Sequence, residues 1–319
     1  MKLALLFLLV LVLLGAAFWV FGPREPVARA PFDPKGIGDD IDAYLARNES
    51  AVPDIRPGAA KRVDWAGEPG RKTPVALVYL HGFSASASEI SPVPEQVAQA
   101  LGANLYFARF AGHGRDGAAM ATATLPLWRR DVAEALAIGA RLGERVIVMA
   151  TSTGAPLLTL EMEGVDLAGV VLISPNFKVR ATGAVLLNMP YARAILPRLL
   201  GPERGFEPET PGHAAGWTTR YPTQAVVPMA AAVEAAAKLD PGRFAVPALF
   251  VFSDRDQVVD PAQTRQVAQA WGGPVTLAPQ VPGPGDDQDA HVLAGDAMSP
   301  GLTEGVVQEV LRWVETLEQ

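Results

Sequence analysis

The segment Arg145-Val146-Ile147-Val148-Met149-Ala150-Thr151-Ser152-Thr153-Gly154-Ala155-Pro156-Leu157-Leu158 constrains the fold more than any other. Its first half is β-branched and apolar. At Ser152 it changes to small residues and then to a helix-compatible run, the pattern of strand, sharp turn and helix. A serine on such a turn is pushed out beyond the sheet edge in a strained backbone conformation. The residues two before and two after it must then be small for the chain to fold back. Ala150 and Gly154 meet that condition. Taken alone the pentad has two readings, an exposed nucleophile or a helix N-cap, since serine caps well and small residues abound in a chain with 30 glycines.

The rest of the chain alternates in the same way. A helix is expected over residues 39–50, with Ile41 and Leu45 on one face, and a short strand at 62–65. Residues 75–80 form an apolar run of the kind buried on both faces of a parallel sheet. A helix at 91–101, a strand at 105–110, a helix at 125–142 stopped by Gly143, and strands at 145–151 and 169–174 follow. The series breaks, then resumes with a strand at 248–252, a helix from Pro261, a strand at 275–278 and a helix at 302–317 whose Val306, Val310, Val314 and Leu317 keep helical spacing. This alternation predicts an α/β fold with a doubly wound, mostly parallel sheet.

The Ala-x-Ser-x-Gly turn resembles the nucleophile elbow of the α/β-hydrolase superfamily, with Ala150 where the family usually carries glycine. Its serine esterase, carboxylesterase and monoacylglycerol lipase branches are the nearest in pattern, since Gly112-His113-Gly114-Arg115-Asp116 is similar to a motif found there. The resemblance implies the chain order serine, acid, histidine. Asp256, followed by Gln257-Val258-Val259, matches the family's Asp-x-Val-Val pattern and is the expected acid, with Asp254 the alternative. Asp260 precedes Pro261 and reads as a helix N-cap. Of the four histidines only His291 follows these aspartates, so it is the expected general base. By the same resemblance His81-Gly82-Phe83 is the oxyanion loop, and the backbone N–H groups of Phe83 and Thr153 are the expected oxyanion donors. His81 and His113 are assigned structural roles, and His213 a surface role. The acidic run Asp286-Asp287-Gln288-Asp289 lacks calcium-loop spacing and reads as a solvated loop. No metal or organic cofactor is implied, because an acyl-enzyme route needs only water.

The break in the series, about residues 176–245, stands where the family inserts a helical cap. Val185-Leu186-Leu187-Asn188-Met189-Pro190 and the leucines near 196–200 make it apolar, which suits an acyl pocket, and Arg198, Arg204 and Arg220 are candidates for a polar head group. From Leu3 to Phe21 the chain is uninterruptedly apolar, close to the length that crosses a hydrocarbon core. The length and the aromatic end Phe18-Trp19-Val20-Phe21 favour an uncleaved anchor over a cleaved export signal. The expected organisation is an anchor or signal over 1–22, a proline-rich linker over 23–38 and a hydrolase domain over 39–319. The domain lies on either face of the membrane, the exported side favoured, or is secreted or periplasmic if the signal is cleaved.

A net charge of −7 without a basic cluster argues against nucleic acid, and the absence of cysteine excludes thiol nucleophiles and disulfides. The expected partners are a small-molecule ester with a hydrophobic acyl group and a membrane. The expected activity is carboxylic-ester hydrolysis by Ser152, His291 and Asp256. An acyltransferase or thioesterase on the same residues, and a membrane-tethered non-catalytic binding protein, are the alternatives. Acyl length, alcohol group and oligomeric state stay open.

Overall fold

The apolar runs find partners in one seven-stranded sheet. The computed structural model describes residues 2–317; Met1, at the start of the expected anchor, and residues 318–319, at the end of the expected hydrolase domain, lie outside them. The elements in chain order open with helices α1 (Lys2–Phe21) and α2 (Ile41–Ser50), then strands β1 (Arg62–Asp64) and β2 (Thr73–Leu80). Next come α3 (Val93–Leu101), β3 (Asn104–Phe107), α4 (Gly117–Thr122), α5 (Leu125–Leu142), β4 (Gly143–Thr151), α6 (Gly154–Thr159) and β5 (Gly169–Ile173). The chain then leaves the sheet for α7 (Ala192–Leu200), the short hairpin β6 (Glu203–Gly205) and β7 (Arg220–Pro222), α8 (Pro211–Gly216) within that hairpin, and α9 (Val227–Ala236). It returns with β8 (Ala248–Phe252), α10 (Pro261–Ala270), β9 (Val275–Pro279) and α11 (Pro300–Thr316).

The sheet order is β1-β3-β2-β4-β5-β8-β9, with β1 antiparallel to β3 and every other pair parallel. Alternate residues of each strand face opposite layers, as the pleat requires. Val146, Val148 and Ala150 pack with Trp128 and Val132 of α5, whereas Ile147 and Met149 pack with Val97 of α3 and Val306, Val310 and Val314 of α11. Both faces of β4 are therefore covered, which is why its sequence is a continuous apolar run rather than an alternation. This is the doubly wound, mostly parallel sheet that the strand and helix alternation predicts, and it matches the fold that the resemblance to the α/β-hydrolase superfamily implies.

Several elements differ by a few residues at their ends from expectation, and for two of them the cause is visible. The strand over 105–110 stops at Phe107, because the Ala108 N–H turns back to Tyr79 O at 3.1 Å and the chain enters the next loop. The helix over 91–101 starts at Val93, delayed by Pro92.

Helix α1 is exposed along its length and is the one helix among the described residues long and apolar enough to cross a membrane. The proline-rich stretch behind it is fastened to the domain at several points. Glu25 accepts from Leu125 N–H at 2.9 Å and pairs with Arg193 at 2.8 Å, and Ala30 N–H donates to Pro126 O at 3.0 Å. The end of α1 touches the excursion between β5 and β8: Phe18 stacks on Tyr191 with ring centroids 5.5 Å apart, and Tyr191 N–H donates to Pro23 O at 2.7 Å. On the same excursion Val185, Leu186, Leu199 and Leu200 present exposed side chains.

Candidate active site

Strand β4 delivers Ser152 into a backbone conformation with φ of 49°, the left-handed region that a residue with a side chain occupies only at a cost. Neighbouring strands hold it there. Ser152 N–H donates to Ile173 O at 2.9 Å, and Ser152 O accepts from Asn176 N–H at 3.0 Å and Ala155 N–H at 3.1 Å. Gly154 is required by space, since a Cβ there would meet Leu80 O at 2.6 Å. Ala150, fully buried, fits where the family has glycine.

The hydroxyl of Ser152 points along the sheet edge to an imidazole: His291 Nε2 and Ser152 Oγ are 3.0 Å apart. On the other side of the ring, His291 Nδ1 and Asp256 Oδ2 are 2.8 Å apart. Asp256 itself is buried, and its Oδ1 accepts from Val258 and Val259 N–H at 2.8 Å each. With Asp256 accepting at Nδ1, the neutral ring presents Nε2 as the acceptor of the serine proton. Burial pulls the imidazole towards the neutral form, but Asp256, with lesser help from Glu89 and Asp287, outweighs it and raises the His291 pKa above its ordinary 6.5.

The structure separates the three aspartates of the acid loop. Asp254 is exposed and forks onto Arg265 at 2.9 and 2.7 Å, away from the imidazole. Asp260 caps α10 at Ala262 N–H (3.0 Å) and pairs with Lys178 at 2.8 Å. Arg180, which sequence reasoning missed, donates to Asp256 O at 2.6 Å and so braces the acid's backbone.

The loop bearing His291 is held by residues read differently from sequence. Asp286 and Asp287 are buried, so the expectation of a solvated acidic loop is corrected. Asp287 Oδ2 accepts from the N–H groups of His291 (2.9 Å) and Val292 (2.7 Å), while Asp286 accepts from Gly283 and Gly301 N–H at 2.8 Å each. Ser174, at φ of 44° beyond β5, donates to His291 O at 2.5 Å. Neither role was legible, although an acid four residues before a loop histidine is a signal that could have found Asp287.

On the opposite side of Ser152 lies the turn after β2. The N–H groups of Phe83 and Thr153 donate to no protein acceptor among the described residues. His81 accepts the Phe110 N–H at Nε2 (3.2 Å), so its Nδ1 carries the proton and donates to Gly82 O at 2.8 Å. Burial pushes its pKa down to about 4, which keeps the ring neutral and fixes this tautomer. His113 is likewise buried and depressed, packed 5.2 Å from Trp128. His213 is not on the surface: it is buried between Phe206 (5.0 Å) and Trp217 (4.8 Å), a correction.

The excursion between β5 and β8 covers this edge. Thr218 N–H donates to Ser84 O at 2.7 Å, Tyr221 meets Phe83 edge-on at 5.3 Å, and the Asn176 amide reaches Met229 Sδ at 3.5 Å. Only 6% of Ser152 is exposed. Arg204 and Arg220 are exposed, Arg220 pairing with Glu207, and Arg198 donates to Ala194 O of its own helix; none of the three bonds to a residue of this site.

The geometry is thus a mostly parallel sheet whose strained elbow serine lies within hydrogen-bonding distance of an imidazole backed by a buried carboxylate. Residues 77–299 match the alpha/beta hydrolase family, and the chain belongs to that family. It is 28% identical over 198 residues to a thermostable monoacylglycerol lipase of Bacillus sp. (strain H-257), a match covering 61% of this chain and 76% of that one. Its fold is similar to a solved structure from two metagenome-derived lipolytic enzymes, LipS and LipT (TM-score 0.65, 19% identity, 82% of this chain and all of that one). It is also similar to the Paleococcus ferrophilus monoacylglycerol lipase (TM-score 0.57, 13% identity, covering 81% and 98%).

Proposed function

We propose that the chain is a membrane-anchored serine hydrolase of carboxylic esters, with Ser152 as nucleophile, His291 as general base and Asp256 as the acid that orients it. The observation that carries this reading is the unbroken hydrogen-bonded line from Ser152 Oγ through the His291 ring to Asp256. In the reaction Oγ attacks the ester carbonyl while its proton passes to His291 Nε2. The imidazolium that forms is stabilised by the Asp256 carboxylate. Charge moving onto the carbonyl oxygen is received by the Phe83 and Thr153 N–H groups, each such donor contributing about 10²–10³ in rate. The imidazolium then protonates the departing alcohol as the carbon–oxygen bond breaks. Water, deprotonated by the same imidazole, releases the acid from Ser152.

Lipid-like esters are the favoured substrates. The relative from Bacillus is a monoacylglycerol lipase by name. The apolar cap residues Val185, Leu186, Leu199 and Leu200 are exposed on the same excursion whose Tyr191 stacks on Phe18 of the apolar helix, a surface suited to a bilayer. On this reading residues 1–22 anchor the protein, 23–38 connect, and 39–319 form the hydrolase with its cap over about 176–245. The test is a fluorophosphonate probe together with p-nitrophenyl esters of rising acyl length. Wild type is expected to label and to prefer medium or longer acyl groups, and Ser152→Ala to do neither. Labelling that persists in Ser152→Ala, or no turnover of any ester by wild type, overturns the proposal.

A further inference from the structure

One buried acid near Ser152 has no place in the reaction as written. Glu89 is 3% exposed and forms no ion pair among the described residues. Its Oε2 accepts from Gly82 N–H at 2.7 Å and from the Tyr79 hydroxyl at 2.9 Å. The Tyr79 oxygen lies 3.2 Å from Thr151 Oγ1, on the residue immediately before Ser152. The carboxyl thus joins β2, the end of β4 and the turn that carries Phe83. A Cβ on Gly82 would stand 2.5 Å from Glu89 Oε1 and 3.2 Å from Ser152 Cβ, so glycine at 82 lets the carboxyl, the turn and the nucleophile converge.

A buried carboxyl without a cation lowers stability relative to a neutral side chain, so its contribution must be sought in what it holds. What it holds is the N–H one residue before an oxyanion donor. A peptide unit rotated by a few tens of degrees would turn the Phe83 N–H off its target, and hydrogen bonds weaken steeply with misalignment.

We propose that Glu89 is a positioning residue of the oxyanion hole: by clamping Gly82 N–H to the strand ends that present Ser152, its carboxyl aims the Phe83 N–H at the reacting carbonyl. The inference rests on the hydrolase reading of Ser152. The titratable groups facing the carboxyl are Tyr79 from β2 and His291 from the loop before α11, with Glu95 of α3 further off, acting on Tyr79. Burial raises the Glu89 pKa to about 7, against the opposing pull of Gly82, Tyr79 and His291, so the clamp changes charge in an accessible pH range.

The chain contains two His-Gly pairs, His81-Gly82 and His113-Gly114. Labelling the full chain, in detergent micelles, with carbonyl-¹³C histidine and ¹⁵N glycine therefore gives two correlated amide signals, and the one surviving in His113→Asn belongs to Gly82. In wild type this signal is expected to titrate with a midpoint of about 7. In Glu89→Gln, whose amide oxygen still accepts, it should stay protected from exchange but lose that titration. In kinetics at pH 7.5, Glu89→Ala should lower kcat about 10- to 100-fold, less than loss of a whole oxyanion donor, with KM within about twofold. Glu89→Gln should recover most of that loss. A Gly82 amide that ignores pH in wild type, a midpoint near 7 that survives in Glu89→Gln, or a folded Glu89→Ala with kcat within about twofold of wild type overturns the proposal. Should wild type hydrolyse no ester, the reading of Ser152 fails by itself, and the amide titration still decides whether Glu89 forms the clamp. If Glu89→Ala does not fold, the Glu89→Gln measurements carry the decision.

Discussion

The two flanks of Ser152 use buried carboxyls in opposite ways. On the histidine flank, Asp256 and Asp287 are buried, yet each faces backbone N–H donors, and Asp256 also faces the His291 ring. On the oxyanion flank, Glu89 is as deeply buried but has one backbone donor and one phenol, and burial dominates, raising its pKa to about 7. The histidines there, His81 and His113, are pushed towards neutrality as well. On the proposed reading the histidine flank sets carboxylates beside the ring that becomes an imidazolium, whereas the oxyanion flank holds neutral histidines and a carboxyl that carries its charge only above about pH 7. The first arrangement stabilises the developing positive charge, and the second ties the turn in place at the cost of a buried acid.

The comparison breaks most sharply at Asp256. Asp256→Asn keeps the shape but removes the charge that holds the ring, and kcat is expected to fall about 10⁴-fold. The residual activity also reports the pKa argument. Because Asp256 is the main cause that raises His291, the acid limb of kcat/KM in wild type should lie above pH 6.5, activity falling as pH drops and Nε2 takes up a proton. In Asp256→Asn that limb should move to lower pH, and a limb that stays in place would assign the raised value to another group.

Next in size is Asp287. Its removal in Asp287→Ala leaves the His291 and Val292 N–H groups without their acceptor, at about 1–3 kcal/mol for each buried donor. Urea unfolding should show a loss of about 2–5 kcal/mol, with kcat lowered through a misplaced imidazole. An unchanged midpoint would mean that water replaces the carboxylate and the loop is not rigid.

The oxyanion flank makes a prediction of opposite pH sign from the usual carboxylate. Below about pH 4.5 Glu89 is protonated in both folded and unfolded chains. Between 4.5 and about 7 the unfolded chain loses the proton while the folded one retains it, so the folded state binds more protons and stability falls as pH rises. Glu89→Gln lacks this penalty. Its urea midpoint should therefore exceed wild type by more at pH 8 than at pH 5. A gap that is the same at both pH values would show that Glu89 ionises normally in the folded protein.

What the sequence discloses follows the same division. The sheet is legible because its strands are buried on both faces and so read as continuous apolar runs. Ser152, Asp256 and His291, which the structure brings into hydrogen-bonding distance, are named by residue order and by short motifs that force a particular turn. Glu89, Ser174 and Asp287 are not legible. Ser174 donates to a backbone group far along the chain, and no local spacing encodes a bond between residues 174 and 291, while Glu89 and Asp287 reach N–H groups seven and four residues away in irregular loops, where no regular period fixes which way a carboxyl turns. His213 is misread for a related reason: a histidine in an irregular insertion looks exposed until Phe206 and Trp217 are placed around it.

The smallest expected effect is at Asp254, and it tests whether charge alone near the acid loop matters. Asp254 is two residues from Asp256 and ionised, its pKa lowered by the hydrogen bond from Arg265. Its carboxylate is exposed, so water and salt screen it from the imidazole, and its partner is an exposed guanidinium of α10. Asp254→Asn should therefore change kcat by less than about twofold and leave the acid limb where it was. If instead it lowered kcat as far as Asp256→Asn, the negative charge of the whole loop, rather than the one carboxylate touching Nδ1, would be what sets the histidine flank apart from the oxyanion flank.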